Sequence, residues 1–190
     1  MKPLLANKDA EMFYRHLNNA TVYFEYGSGG STFQASIRKN LKKIYSVESD
    51  IEWLNKLKKK IDIVNIRYIY NEMDTKPNTW GNPGKNATDM QKIKYSDRIK
   101  ELSVEEQKNI DMVFIDGRFR VACCLKCYDV VNDDCYILFD DFLDRPEYHI
   151  VLHYYDIVEK TTNNRMVVLK KKANKKIPKD IIEKYELNKD

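Results

Sequence analysis

Short apolar segments alternate with helical patterns along most of this chain. Strand-like runs occupy residues 22–26, 44–48, 61–70, 111–116 and 135–141. Helical patterns follow four of them, at residues 32–40, 50–60, 90–102 and 119–131, and Asp50 is placed to cap the second. This alternation predicts a parallel sheet covered by helices on both faces, since parallel strands need long crossover connections.

Two further strand-like runs close the pattern at residues 154–158 and 165–170, with turn residues at 161–164 between them. They predict an antiparallel hairpin at one edge of the sheet. The expected fold is therefore an α/β Rossmann-like three-layer sandwich, with a mostly parallel seven-stranded sheet and a C-terminal antiparallel hairpin. We expect one domain over residues 1–170 and a basic tail over residues 171–190.

Charge and hydropathy narrow the classes of function. The net charge is +4, and residues 170–190 hold eight lysines against four acids, so the rest of the chain is near neutral. A nucleic-acid enzyme usually has a basic face on its body, which makes a nucleic-acid partner an unfavoured interpretation. No apolar run reaches the roughly 18 residues that span a bilayer, and the N-terminus does not resemble a secretory signal. We expect a cytoplasmic protein with reduced thiols and no membrane span.

A glycine-rich turn follows the first predicted strand, in the stretch VYFEYGSGGST at residues 22–32. Glycine lets a ligand approach the backbone, and the helix N-terminus that follows offers free N–H groups. Gly27 and Gly29 fit the first two positions of the dinucleotide fingerprint G-x-G-x-x-G, but Thr32 stands at the third. A P-loop is excluded because no G-K-[ST] sequence follows.

Two acids near the turn indicate the kind of ligand. Glu25 precedes Gly27 by two residues, where a carboxylate would repel a pyrophosphate and suit a cationic ligand. Glu48 ends the second strand, 21 residues after Gly27, at the spacing where a carboxylate accepts both hydroxyls of a ribose. S-adenosylmethionine combines a nucleoside with a positively charged, amino-acid-bearing end and meets both demands.

The stretch E-Y-G-S-G-G-S-T, followed by V-E at the second strand, resembles the class I S-adenosylmethionine-dependent methyltransferases over roughly residues 20–170. The resemblance implies a seven-stranded sheet whose last strand is antiparallel. It also implies a cofactor site. Its expected residues are Glu25, Gly27, Ser28, Gly29, Gly30, Ser31 and Thr32 for the methionine portion, and Glu48 with Ser49 for the ribose.

Acids also end the fourth and fifth strands, at Asp116 and at Asp140 with Asp141. Adjacent parallel strands lie roughly 4.8 Å apart, so these carboxylates could converge and repel one another. A divalent cation would relieve that repulsion, and the pattern is similar to metal-dependent O-methyltransferases, including sugar-modifying ones. The resemblance implies Mg²⁺ or Mn²⁺ on Asp116, Asp140 and Asp141. The alternative is structural: Asp116 pairs with Arg118 or Arg120, and Asp140 caps the next helix.

Further residues were assigned to the reaction and the acceptor. Asp116 and Asp141 are expected to act in catalysis, and His149 lies where a loop could bring it to the pocket as a base. Arg118 is a candidate for binding an acidic substrate. Trp80 lies in the Asn-, Gly- and Pro-rich segment 71–90, where a large aromatic favours substrate contact over a solvated spacer. Two alternatives remain: His149 lies on the surface, and Trp80 only holds its loop against the body of the protein.

The leading hypothesis is a metal-assisted O-methyltransferase that acts on a sugar or glycan hydroxyl. A nucleic-acid or protein methyltransferase that uses the basic tail is one alternative, and a non-catalytic nucleotide-sugar-binding module is another. The chain leaves few residues beyond the core for acceptor recognition. A homodimer and a place within a larger glycan-modifying polypeptide are therefore both open.

Overall fold

The computed structural model describes residues 1–162 and 165–188. The helices are α1 (Asn7–Asn19), α2 (Gly30–Ser36), α3 (Ile51–Lys58), α4 (Asp89–Asp97), α5 (Val104–Lys108), α6 (Arg120–Cys127) and α7 (Lys179–Glu186). The strands are β1 (Val22–Tyr26), β2 (Lys43–Glu48), β3 (Ile66–Tyr70), β4 (Met112–Ile115), β5 (Tyr136–Phe139), β6 (Tyr155–Lys160) and β7 (Val167–Lys171). Two 3-10 helices cover Arg98–Glu101 and Pro146–His153.

The strands within the described residues form one seven-stranded sheet with the order β3-β2-β1-β4-β5-β7-β6. The pairs β3–β2, β2–β1, β1–β4 and β4–β5 are parallel, whereas β7 is antiparallel to both β5 and β6. The predicted fold class is confirmed. The structure also shows how the predicted hairpin joins the sheet: its second strand, β7, pairs with β5, and its first strand, β6, lies at the edge.

Alternation along the strands explains the two cores. On β1, Phe24 and Tyr26 face the larger core, and Tyr23 faces the smaller one. The helix α1 covers the smaller core with Met12, Phe13 and Leu17, all buried. The sequence reading did not predict α1. Helices α2, α3, α4 and α6 are shorter than the predicted helical patterns, and β3 lies within the predicted run 61–70. Asp50 caps α3 as predicted, with Oδ1 accepting from Trp53 N at 3.0 Å.

The segment after β7 packs onto the body of the protein. Ile177 is buried, and α7 contacts α6, where the ammonium of Lys126 lies between Glu186 Oε1 at 2.6 Å and Asp97 Oδ1 at 2.9 Å. Lys171 donates to the carbonyl oxygens of Tyr128 and Val131. Lys172, the first residue after β7, donates to the carbonyl oxygen of Leu152 at 2.6 Å, so part of the positive charge of this segment contacts the body of the protein. Of the predicted turn at 161–164, residues 163 and 164 lie outside the described part, as do residues 189 and 190.

The strand order brings the predicted functional acids to one edge. Tyr26 pairs with Val47 on one side and with Ile115 on the other, and Ile115 pairs with Phe139. The residues that follow these positions therefore emerge side by side at the carboxyl edge of the sheet, where ligands bind in open α/β folds. No helix in the described part of the chain is long and apolar enough to cross a bilayer.

Candidate functional site

A cavity of about 850 Å³ opens at the carboxyl edge of β1, β2 and β4. Its volume lies within the range of small-molecule sites, which is about 300–1,000 Å³. Its wall includes most of the residues predicted from the sequence: Gly27, Ser28, Gly29, Gly30, Ser31, Glu48, Ser49, Trp80, Asp116 and Arg118. Glu25, Thr32, Asp140, Asp141 and His149 do not line it.

The three glycines of the turn differ in what a side chain at each position would contact. A Cβ on Gly27, whose φ is +96°, would come within 2.8 Å of Gly117 Cα, where the β1 and β4 turns touch. A Cβ on Gly30 would overlap the backbone of Lys2, which crosses the turn there. A Cβ on Gly29 would meet no protein atom within 4 Å and would face the cavity. Protein packing therefore explains Gly27 and Gly30, and the space at Gly29 fits a ligand.

Glu48 forms the floor of the cavity beside the turn. Its carboxylate accepts hydrogen bonds from the backbone of Ser49 at 2.7 Å, Asp50 at 2.8 Å and Ser28 at 3.2 Å. These donors favour the charged form, but burial outweighs them and raises the pKa of Glu48 to about 7. The carboxylate is thus fixed in position at the cavity with its charge poised near neutral pH.

Glu25 lies behind the turn, which differs from the expectation that it faces the ligand. Its carboxylate is fully buried and accepts from the hydroxyls of Tyr23 at 2.8 Å, Ser46 at 2.6 Å and Thr32. Thr32 also accepts from Gly29 N at 2.7 Å, so this residue connects Glu25 to the turn. Burial raises the pKa of Glu25 against the effect of these donors. The place of the third fingerprint glycine is taken by a residue that braces the turn.

The acids after β4 and β5 surround one buried cation. Arg120 lies with Nη2 3.2 Å from Asp116 Oδ1 and Nη1 3.1 Å from Asp141 Oδ2. Arg120 also donates to the carbonyl oxygens of Gly117 and Asp140, at 3.0 and 2.9 Å. Burial raises the pKa of Asp140 to about 8, and the charges of Asp116 and Asp141 add to the rise. The raised pKa favours the neutral form of Asp140, which reduces the repulsion within the group.

Asp141 is held away from the cavity by three guanidinium groups. Besides Arg120, it contacts Arg145 Nη2 at 3.0 Å and Arg165 Nη1 at 2.9 Å. The described residues include no group of three or more His, Cys, Asp or Glu side chains that could hold a metal ion. The expected metal site at Asp116, Asp140 and Asp141 is not supported, since arginines supply the positive charge that the metal was predicted to supply. The structural alternative, an Asp116–Arg120 pair, matches this geometry.

His149 lies on the 3-10 helix after β5, with its ring against Phe142 at a centroid distance of 5.0 Å. Its Nε2–H donates to the carbonyl oxygen of Phe142 at 3.1 Å. These contacts direct the imidazole to a local backbone partner. In this arrangement His149 does not reach the cavity as a base.

Trp80 and Arg118 meet at the rim of the cavity. Arg118 Nε donates to the carbonyl oxygen of Trp80 at 3.2 Å, which connects the turn after β4 to the long loop after β3. The neighbouring Gly81 packs over Glu48 and Ser49, because a Cβ there would lie 3.2 Å from Ser49 Oγ and 3.7 Å from Glu48 Oε1. The loop therefore covers one side of the cavity.

Some cavity residues were missed or left unassigned by the sequence reading. Residues 1–4 form a wall beside the glycine turn, and Gln34 Nε2 anchors them by donating to Met1 O at 2.8 Å. Trp53 lines the cavity from α3 and donates from Nε1 to Ser28 O at 2.8 Å. No local pattern marks residues 1–4. The signal for Trp53 was its place just after Glu48 and the helix cap.

No protein-family model matches this chain, and no curated protein matches it. Solved structures do match. A methyltransferase-like protein from Silicibacter pomeroyi superposes with a TM-score of 0.76 at 24% identity, covering 97% of this chain and 94% of that one. A candidate caffeoyl-CoA O-methyltransferase from Staphylococcus aureus gives 0.59 at 13% identity, with 90% and 86% covered. A ribosomal protein L11 methylase from Lactobacillus delbrueckii subsp. bulgaricus gives 0.57 at 11% identity, with 88% and 80% covered.

These likenesses extend over nearly the whole chain and concern the fold, since the identities are low. The strand order, with an antiparallel β7 between β5 and β6, agrees with them. The chain therefore has the fold of the class I S-adenosylmethionine-dependent methyltransferases.

Proposed function

We propose that this protein is an S-adenosylmethionine-dependent methyltransferase that transfers the methyl group to a hydroxyl oxygen. The observation that carries the proposal is that Gly29 and Glu48 lie close together on the cavity wall. Gly29 leaves open space at the turn, and Glu48 presents a fixed carboxylate beside it. An amino-acid portion against Gly29 and a ribose on Glu48 together match the two ends of this cofactor.

The charge of the cavity wall supports this ligand over a diphosphate. Five acids line the cavity, namely Glu48, Asp50, Glu52, Asp74 and Asp116, against the three cations Lys2, Lys56 and Arg118. The acids beside Glu48 oppose a diphosphate at the cofactor position and favour a sulfonium there. A non-catalytic nucleotide-sugar-binding module is accordingly a weaker interpretation.

The chemistry needs a positioned acceptor and a proton acceptor. When bound, S-adenosylmethionine supplies an electrophilic methyl carbon on a cationic sulfur. Asp116 is the candidate proton acceptor, because its carboxylate lines the cavity with about one third of the side chain exposed (33%). Arg120 fixes that carboxylate in place. Bound S-adenosylmethionine would supply the methyl group, and Asp116 would accept the proton that the acceptor hydroxyl loses.

Binding of S-adenosylhomocysteine should depend on pH through Glu48. Ribose hydroxyls donate to the ionised carboxylate, so affinity is expected to rise with pH through about 7, the pKa of Glu48. One pH unit below the pKa, the dissociation constant should be about ten-fold larger than it is well above the pKa, since only the ionised fraction binds well. Titration calorimetry from mildly acidic to mildly basic pH measures this profile.

Glu48→Gln should bind weakly with no such pH dependence, whereas Glu72→Gln, an exposed acid outside the cavity wall, should keep the wild-type profile. Absence of binding at millimolar ligand would refute the proposed function. A flat profile in the wild type would refute the role of Glu48. The same titration after EDTA treatment is expected to be unchanged, because Arg120 already pairs with the acids of the predicted metal site.

A nucleic-acid acceptor is less favoured by the arrangement of the C-terminal lysines. Lys171 and Lys172 donate to backbone carbonyls of the body. The remaining lysines of the segment do not lie on the wall of the cavity. A small hydroxylated acceptor that enters the cavity fits this distribution better than a phosphodiester chain.

A further inference from the structure

The indole of Trp80 is not explained by protein packing. Trp80 lines the cavity, yet 76% of its surface is exposed. Its backbone is also in the left-handed region, at φ +59°, which is rare and costly for a bulky side chain. A glycine would adopt this conformation without strain. A strained residue with a large unpacked side chain at a cavity rim is typical of a ligand contact.

The loop that carries Trp80 is built to hold it in place. Thr75 and Pro83 form an antiparallel bridge at the base of the tip. Asp74 closes the base, since its carbonyl accepts from Gly84 N at 2.7 Å and its carboxylate accepts from Asn86 N at 2.9 Å. At the tip, Gly81 contacts the Glu48 side of the cavity. The indole is therefore presented from a braced loop.

Arg118 supplies a positive charge next to the backbone of Trp80, on the same cavity wall as the indole. Its Nε donates to Trp80 O, and no carboxylate of the described residues lies within ion-pair distance of its guanidinium. Arg120, only two residues away, contacts both Asp116 and Asp141. The two arginines of residues 115–120, at the end of β4 and in the turn after it, thus differ: Arg120 contacts the buried acids, and Arg118 lines the cavity.

We propose that Trp80 and Arg118 form the acceptor subsite, and that the acceptor is a sugar ring bearing a carboxylate or phosphate group. This inference rests on the proposed methyltransferase function. The electron-rich face of an indole attracts the C–H groups of a sugar ring, and a guanidinium binds carboxylate and phosphate oxygens in a two-pronged geometry. Lys2 and Lys56, also on the wall, add positive charge on the cavity surface.

The test uses the nitrogen-bound indole protons of the two tryptophans as NMR probes. The variant Trp80→Phe assigns the two signals. Glucuronate and glucose 6-phosphate are titrated against neutral glucose, in the presence of saturating S-adenosylhomocysteine. The Trp80 signal should move with the anionic sugars, and at least one of them should bind about ten-fold or more tightly than glucose. Arg118→Gln should abolish that preference and leave affinity for S-adenosylhomocysteine within about two-fold.

Three results would overturn the inference. One is equal binding of anionic and neutral sugars, or no response to an anionic sugar at tens of millimolar. Another is that Arg118→Gln weakens binding of the anionic and the neutral sugar by the same factor. The last is a large loss of S-adenosylhomocysteine affinity in Trp80→Phe or Trp80→Gly, which would place the indole on the cofactor instead. Normal cofactor binding by the wild-type protein alongside any of these leaves the proposed function intact, whereas failure of the wild type to bind the cofactor refutes that function by itself.

Discussion

Replacing Arg120 with methionine is expected to lower the free energy of unfolding by about 3–5 kcal/mol, because the carboxylates of Asp116 and Asp141 then lose the buried cation that they share. Methionine keeps much of the apolar volume of the side chain but none of its five donors. Those donors contact the carboxylates of Asp116 and Asp141 and the carbonyls of Gly117 and Asp140. For a chain of this length the melting temperature should fall by about 10 °C. Urea denaturation and thermal melts measure both quantities.

Arg118→Met is the matched control. Arg118 lies two residues away, is half-buried and forms no ion pair with a described carboxylate, so its loss should cost less than about 1 kcal/mol. Equal destabilisation by the two substitutions would show that Arg120 does not organise the acids. A rise in the melting temperature of the wild type on adding millimolar Mg²⁺ would point to a metal at these carboxylates after all.

Replacing Gly29 with alanine should leave the protein folded and weaken binding of S-adenosylhomocysteine by about ten-fold or more. The added methyl group meets no protein atom within 4 Å, so the cost to stability should be small. It would occupy the space where the ligand backbone is expected to approach. Calorimetry gives the affinity and a thermal melt gives the stability.

Gly27→Ala is the contrasting variant. Its Cβ would collide with Gly117 Cα at 2.8 Å, and its φ of +96° disfavours any side chain. We expect destabilisation of about 1–3 kcal/mol, with any loss of binding following from the disturbed turn. If Gly29→Ala binds the ligand as the wild type does, the open space at Gly29 is not the ligand site.

The fold was predictable because its signals are local. Each strand in the first half of the chain is a short apolar run with a helical pattern after it, and the glycine turn and Glu48 stand at a recognisable spacing. The helix α1 was missed although its apolar residues Met12, Phe13 and Leu17 lie on one buried face. The crossing of Lys2 over Gly30 was not predictable, since it depends on a contact between distant parts of the chain. The hairpin was recognised from its turn, but its place in the sheet depends on pairing with β5.

The site shows the same division. The acids at the strand ends could be found, but their partners could not, because Asp141 meets Arg145 and Arg165 only after folding. Glu25 illustrates a second limit. Its place before the glycine-rich turn could be predicted from the sequence. The direction of its side chain could not, because it depends on the hydroxyls of Ser46 and Thr32. Sequence spacing therefore located the cavity better than it assigned the role of each side chain.

A crystal structure of the protein grown with S-adenosylhomocysteine tests the central claim most directly. We expect the ligand in the cavity, with both ribose hydroxyl oxygens roughly 3 Å from the carboxylate of Glu48 and the amino-acid portion against Gly29. Density for the ligand at another surface, or a ribose that does not contact Glu48, would contradict the account.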